Sequence, residues 1–545
     1  LAPASELVSL YFDHVDLVKG YDPKDRGLGE ELLVLAVGSL LVESIQGDSL
    51  SVSMALQLGL VFIQMAQQAR HVSAPLRLAA SAIYGLLGAD ELAVEEFAAL
   101  DIKGVLHDSL TGHWLIPMLA AACPNEASYA KWFKGIDNLH TVQAQEARDA
   151  LFTVYEEQTY SKVPEFVDFI QCLDRSNTLY VYRSEAGIAR CRDACLSGGE
   201  IQRVQAPRDG QDGHDGRVPS DVLAEGILHN DDLTVRPMWY PPSLDGPLFE
   251  VQGWWERLYR KQAPWTSGAG LSGTWWARQY APTVEPSGER AAWERTLDRQ
   301  LALRLAFPDI LRTICRIDTS PGDDSIKASD RARIRAWIIT ALEAAGMASL
   351  PSLHSPTDGL DATACDAIVR AMNDPNTTDI DAISYLRALT VLVGYSLSAA
   401  TLEQLAKGVQ AVHHRCTAAL ATKRYAGIPF VARISSEEYV WICRMIADRG
   451  GDDGLPGDAR DALSAVASAV GDSLESLSST VCGLDADTVG IRDTIEQGDH
   501  ALSSCMPYVQ QHAYDVGGCL ATLADAQAKT LARIQDALAR VRSKV

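Results

Sequence analysis

The feature that most constrains this chain is the spacing of its apolar residues. From residue 1 to about 190 they recur three and four positions apart, and strict alternation is scarce. Met54, Leu58, Val61, Phe62 and Met65 keep that spacing on one helix face, and so do Val163, Phe166, Ile170 and Leu173. Leu32, Leu33, Leu35, Ala36, Leu40 and Val42 crowd a single element destined for burial. A strand alternates its side chains with period two, so this pattern suits helices and not a sheet. Pro75, Gly88 and Pro164 fall where helix starts and turns belong. The pattern predicts an all-α fold.

Within it lies a repeat signal. Between Leu76 and Leu100 come Tyr84, then Leu87-Gly88, then Ala93 four residues before Phe97. A tetratricopeptide unit has an aromatic late in its first helix and A-x3-F in its second. Pro75 stands at the head of this unit, and a new helix is expected near Asp108, about one 34-residue period later. Tyr84, Gly88, Ala93 and Phe97 are therefore the repeat-packing residues, with Tyr84 and Phe97 expected to interlock the pair. A non-repeating helical bundle is the plainer alternative. The expected architecture is a superhelical array of tetratricopeptide-like pairs followed by a C-terminal helical region.

Four stretches follow from composition. Residues 1–190 carry the repeats. Residues 191–236 include a Gly-, Asp- and Arg-rich run, expected to be a flexible loop and connection. Residues 237–293 form a Trp-rich, Pro-broken segment with seven of the eleven tryptophans. Its rings could stack on sugars or bases, or fill the space under irregular loops, and the lack of a basic stripe favours the filling role. Residues 294–545 return to helical patterning, through Trp293, Leu297, Leu301 and Leu305 and again from Arg331 to Ala345. Gly451 to His500 carries eleven acidic residues against two basic and reads as exposed loops and helices. The last helix reverses the sign. Leu531, Ile534, Leu538, Val541 and Val545 form a stripe, with Lys529, Arg533, Arg540, Arg542 and Lys544 as a candidate basic contact surface.

Charge and motifs narrow the function. The net charge of −23 speaks against a general DNA or RNA binder. Eleven cysteines at irregular spacings suit a reducing compartment. The longest apolar run, Leu32 to Val42, is too short for a bilayer, which needs about 20 residues. A cytoplasmic protein without a membrane span is expected. The chain begins Leu1-Ala2-Pro3, which reads as a fragment or a trimmed chain. No zinc-protease, nucleophile-elbow, Walker or dinucleotide motif is found, and Cys191/Cys195 and His413/His414/Cys416 lack the spacing of a metal site. Lys24-Asp25-Arg26-Gly27-Leu28-Gly29 resembles an acyl-CoA pyrophosphate loop, but a helix precedes it where a strand is needed, so it reads as a turn before the next helix. No catalytic, cofactor or metal residue is assigned.

Four segments in order resemble one family: Tyr21 to Leu33, Leu76 to Ile102, Tyr160-Ser-Lys-Val-Pro-Glu-Phe166, and His229 to Pro242. Together they are similar to the non-catalytic auxiliary subunit of N-terminal acetyltransferase B (NatB), across roughly residues 5 to 245. That resemblance implies a helical scaffold that wraps a GNAT-fold catalytic subunit and helps position it at the ribosome. It also implies acetylation of nascent chains beginning Met-Asp, Met-Glu, Met-Asn or Met-Gln, with acetyl-CoA bound by the catalytic partner. Members of the family are usually longer on the N-terminal side. An unrelated helical adaptor for complex assembly or transport is the alternative, and an enzyme with an unrecognised site is a third. Read alone, Tyr160 to Phe166 is a helix start, with Ser161 as cap and Phe166 packed on the next turn.

Overall fold

A computed structural model describes residues 4–15, 17, 20–22, 29–46, 52–69, 73–111, 124–174, 176–198, 306–307, 310–311, 313–314, 332–341, 362–375, 377, 379–395, 397–423, 428–450, 456–482 and 516–542. The Lys24 to Leu28 loop, the 199–236 part of the connection, the Trp-rich segment, His229 to Pro242 and Lys544 lie outside them.

Every regular element among the described residues is a helix. In chain order they are α1 (Ala4–Val15), α2 (Glu30–Gln46), α3 (Val52–Ala69), α4 (Ala74–Leu86), α5 (Asp90–Ala98), α6 (Leu106–Leu110), α7 (Glu126–Trp132) and α8 (Lys134–Asn138). A π-helical turn, Leu139–Gln143, leads into α9 (Ala144–Glu156), and a 3-10 turn, Tyr160–Lys162, into α10 (Val163–Asp174). Then come α11 (Asn177–Leu196), α12 (Ala362–Met372), α13 (Asp379–Tyr395), α14 (Ala399–Lys423) and α15 (Ile428–Arg433). A second π-helical turn, Ile434–Glu438, precedes α16 (Tyr439–Gly450), α17 (Gly457–Cys482) and α18 (Val516–Arg542). Residues 332–341 are helical as well.

Neighbours in sequence pack as neighbours in space: α1 on α2, α2 on α3, α4 on α5, α9 on α10, and α12 and α13 on α14. Polar side chains start several helices. The Asn125 side chain accepts from the Ser128 amide at 2.8 Å, and the Ser176 hydroxyl from the Leu179 amide at 3.2 Å. Ser398 and Thr401 cap each other reciprocally before α14.

The structure redraws some expectations. Helix α3 was expected to bury one face, but Ala55, Leu56, Leu60, Val61, Phe62 and Ile63 are all buried, so the helix is enclosed on nearly every side. Gly59 makes that enclosure possible, because a Cβ there would lie 2.8 Å from Val37 Cγ2 on α2. Residues 191–196 continue α11 and are not loop, since Cys191 and Cys195 are buried in the core. Part of the acidic stretch after Gly451 is α17, which buries Leu463, Val466, Val470, Leu474 and Leu477 against α14. Its acidic residues occupy the other faces of an amphipathic helix.

One core runs from α1 to α18. A buried charge network ties its two halves. Arg433 reaches Glu185 of α11 at 3.9 Å and Glu437 at 3.2 Å. Arg387 of α13 bonds Glu437 at 3.1 Å, pairs with Glu438, and lies 4.9 Å above the Phe307 ring. Burial raises the pKa of Glu438 above the usual carboxylate value, and Arg387 is the strongest opposing influence.

Candidate functional site

The α4–α5 hairpin is the best-tied unit. Pro75 lies in the first turn of α4, where its missing N–H costs nothing. The Ser81 hydroxyl donates to the Ala93 carbonyl at 2.7 Å and joins the two helices directly. Ala93 is fully buried, and Tyr84 and Phe97 are 4% and 6% exposed. The Tyr84 hydroxyl accepts from Gln64 Nε2 at 3.0 Å, so Tyr84 also ties α4 back to α3. Glu96 gathers Gln64, Gln67 and Arg77 at 3.4, 3.2 and 2.9 Å. Burial raises the Glu96 pKa, and Arg77 is the strongest opposing influence.

The turn between the helices is where the chain's far end arrives. Gly88 has φ +74°, a left-handed conformation that L side chains resist. A Cβ there would also meet Ile428 Cγ2 at 2.9 Å. Gln527 of α18 donates to the Leu87 carbonyl at 3.0 Å. Thr530 donates to Asp90 Oδ1 at 3.0 Å, and Arg533 pairs with the same carboxylate. Asp90 is the first residue of α5, where a negative charge also favours the helix dipole.

This docking decides what the basic face of α18 does. Arg533 pairs with Asp90. Lys529 bonds Asp525 at 2.9 Å and Arg540 pairs with Asp536, each one turn away on α18 itself. Three of the five residues expected as a contact surface are therefore engaged within the chain. The Arg542 side chain and Lys544 fall outside the described residues. Arg533→Glu should set a second carboxylate against the buried Asp90 and cost about 1–3 kcal/mol. Arg540→Glu removes only an exposed pair and should cost about 0.5 kcal/mol or less. Thermal melting of the two variants checks this, and equal melting temperatures would contradict it.

A different surface is left open. The α9–α10 hairpin and the π-turn before it have a small cluster of their own, Leu139, Ala144 and Leu173, with Phe169 packed against them, and Ala147 is buried beside it on α9. Its larger residues stand in solvent: Phe152 is 73% exposed, Tyr155 65% and Tyr160 53%, with Val142 and Val167 also exposed. Phe152 and Tyr155 lie three apart on one face of α9, and the Tyr155 and Tyr160 rings meet edge-on at 5.2 Å. Sequence reading missed this. The signal was present in Leu151, Phe152, Val154 and Tyr155, which wrap too far around α9 for one buried face. Helix α10 is also entered differently from expectation. Ser161 belongs to the 3-10 turn before it, while Lys162 spans to Glu165 at 2.8 Å. Phe166 is half-buried.

Elsewhere polar clusters serve the fold. Asp108, in the first turn of α6, accepts from Ser176, and its carbonyl accepts from Thr178 at 2.6 Å. His140 Nε2 lies 3.4 Å from the same carboxylate. The carboxylate sits between the hydroxyl and the imidazole, and Ser176 already caps α11, so the arrangement does not activate a nucleophile. Cys191, Cys195, Cys416 and Cys443 are buried, and burial pushes the Cys195 and Cys443 thiols up to about 12. Among the described residues no group of His, Cys, Asp and Glu could hold a metal, and no helix is long and apolar enough to cross a membrane.

Comparison with known proteins supplies the remaining information. Residues 2–205 match the model of a family described as the N-acetyltransferase B complex (NatB) non catalytic subunit. The N-terminal acetyltransferase B complex auxiliary subunit NAA25 of Arabidopsis thaliana is 29% identical over 260 residues. That stretch covers 46% of this chain and 23% of the relative's length. The matched segment contains both the α4–α5 hairpin and the exposed α9–α10 aromatic surface.

Proposed function

We propose, on the premise that residues 2–205 belong to the family of NatB non catalytic subunits, that this chain is an auxiliary scaffold that binds the catalytic subunit of N-terminal acetyltransferase B. The family match is the observation that carries this reading. The helical array supports it, because stacked helices offer long surfaces to a partner. In this reading the GNAT-fold partner holds acetyl-CoA and performs the chemistry, and the helical chain fixes its position. Co-translational work at the ribosome on chains beginning Met-Asp, Met-Glu, Met-Asn or Met-Gln completes the proposal. In this reading ribosomal contact is made by the assembled complex.

The experiment is a calorimetric titration with acetyl-CoA of the lone chain and of the chain reconstituted with the catalytic subunit. The lone chain should give no micromolar binding and the complex should bind. Micromolar binding to the pure chain would overturn the scaffold assignment.

A further inference from the structure

The exposed aromatic surface of the α9–α10 hairpin has no structural task within the described fold. Phe152, Tyr155 and Tyr160 cover one another only at the Tyr155–Tyr160 edge. A solvated Phe at 73% exposure beside two tyrosines runs against the usual burial of large rings. Aromatic side chains in such clusters are what protein interfaces use as anchors. The hairpin beneath is held by α9–α10 packing and by the Leu139, Ala144 and Leu173 cluster, so the rings are presented on ordered helices.

Charge decides what kind of partner fits. Between residues 145 and 168 six acidic residues stand against two basic. Glu146, Asp149, Glu156, Glu157 and Asp168 are exposed around the rings, and Lys162 is taken up by Glu165. Asp149 and Glu156 lie one turn before and after Phe152 on the same face of α9. An acidic rim repels phosphate, which disfavours RNA and anionic lipid despite the stacking capacity of the rings. It attracts a protein surface with apolar side chains bordered by Lys and Arg.

We propose that Phe152, Tyr155 and Tyr160 form the docking surface for the catalytic subunit, received through an apolar patch with a basic border. This assignment rests on the auxiliary-subunit reading and adds the place of contact. The surface lies inside the segment shared with NatB non catalytic subunits, where an interface common to that family would be built.

The test is capture of the purified catalytic subunit by three forms of the full chain. These are wild type, the triple variant Phe152→Ser/Tyr155→Ser/Tyr160→Ser, and the charge variant Glu156→Lys/Glu157→Lys. All altered positions are exposed, so the melting temperature should stay within a few degrees of wild type. The triple variant should bind at least 100-fold more weakly. The charge variant should associate at least tenfold more slowly at low salt, with the difference fading as salt rises. Wild-type affinity in the triple variant would overturn the docking surface while leaving the auxiliary-subunit reading intact. Failure of the wild-type chain to capture the catalytic subunit would overturn both. A dimer of the lone chain that the triple variant abolishes would assign the rings to self-association and overturn the proposal.

Discussion

Replacing Phe97 with Asp should unfold the N-terminal helices at working temperature. Phe97 is 6% exposed, on the second helix of a hairpin whose first helix is enclosed by α3 and α5. Removing a buried Phe side chain costs about 3–5 kcal/mol through lost burial and the cavity left behind. A buried carboxylate adds a desolvation penalty. That total is comparable with the stability of a whole domain, about 5–15 kcal/mol. Phe97→Leu keeps most of the apolar volume and should lose only a fraction as much. Circular-dichroism melting of the two variants separates burial from mere proximity to the surface. An Asp variant that melts like wild type would show that Phe97 carries no packing.

Gly88→Val should be nearly as damaging for a different reason. The backbone at Gly88 is left-handed, which costs an L side chain about 1–2 kcal/mol. The new Cβ would lie 2.9 Å from Ile428 Cγ2, and such overpacking costs about 1–3 kcal/mol more. The turn cannot shift freely to relieve either, because Gln527, Thr530 and Arg533 hold Leu87 and Asp90 on both sides of it. The strain should therefore loosen α18 as well as the hairpin. A double-mutant cycle with Gly88→Ala and Ile428→Ala resolves the two causes. The double variant should be more stable than the sum of the single losses, since truncating Ile428 removes the clash and leaves only the backbone cost. Strict additivity would mean that Ile428 does not press on the turn.

These two positions also show what could be read from the sequence and what could not. Tyr84, Gly88, Ala93 and Phe97 stand out by local spacing, because a helix repeats its face every three to four residues and a hairpin needs a breaker between two such runs. The helical character of α1 to α11 followed from the same periodicity. Local spacing is silent about what arrives from hundreds of residues away. The packing of Ile428 on Gly88 and the pairing of Arg533 with Asp90 are long-range contacts, and neither leaves a periodic trace. For that reason the cationic side of α18 read as a candidate contact surface, with no sign that Arg533 pairs with Asp90. The aromatic surface was missed for the opposite reason. Apolar residues at helical spacing look like core, and only the small size of the Leu139, Ala144 and Leu173 cluster reveals that Phe152 and Tyr155 are left outside. Residues 191–196, grouped with the Gly-rich run, belong to α11, which reaches Leu196 with Cys191 and Cys195 buried in the core.

The scaffold assignment predicts that strong catalysis appears only when two chains meet. The direct measurement is acetyl transfer from acetyl-CoA to synthetic peptides beginning Met-Asp and, as a control, Ser-Ala. It is made with the lone chain, the lone catalytic subunit, and the two combined and purified as a complex. The account predicts no transfer by this chain alone, weak transfer by the catalytic subunit alone, and strong transfer to the Met-Asp peptide only by the complex. A catalytic subunit that neither binds this chain nor changes its rate or peptide preference in its presence would contradict it.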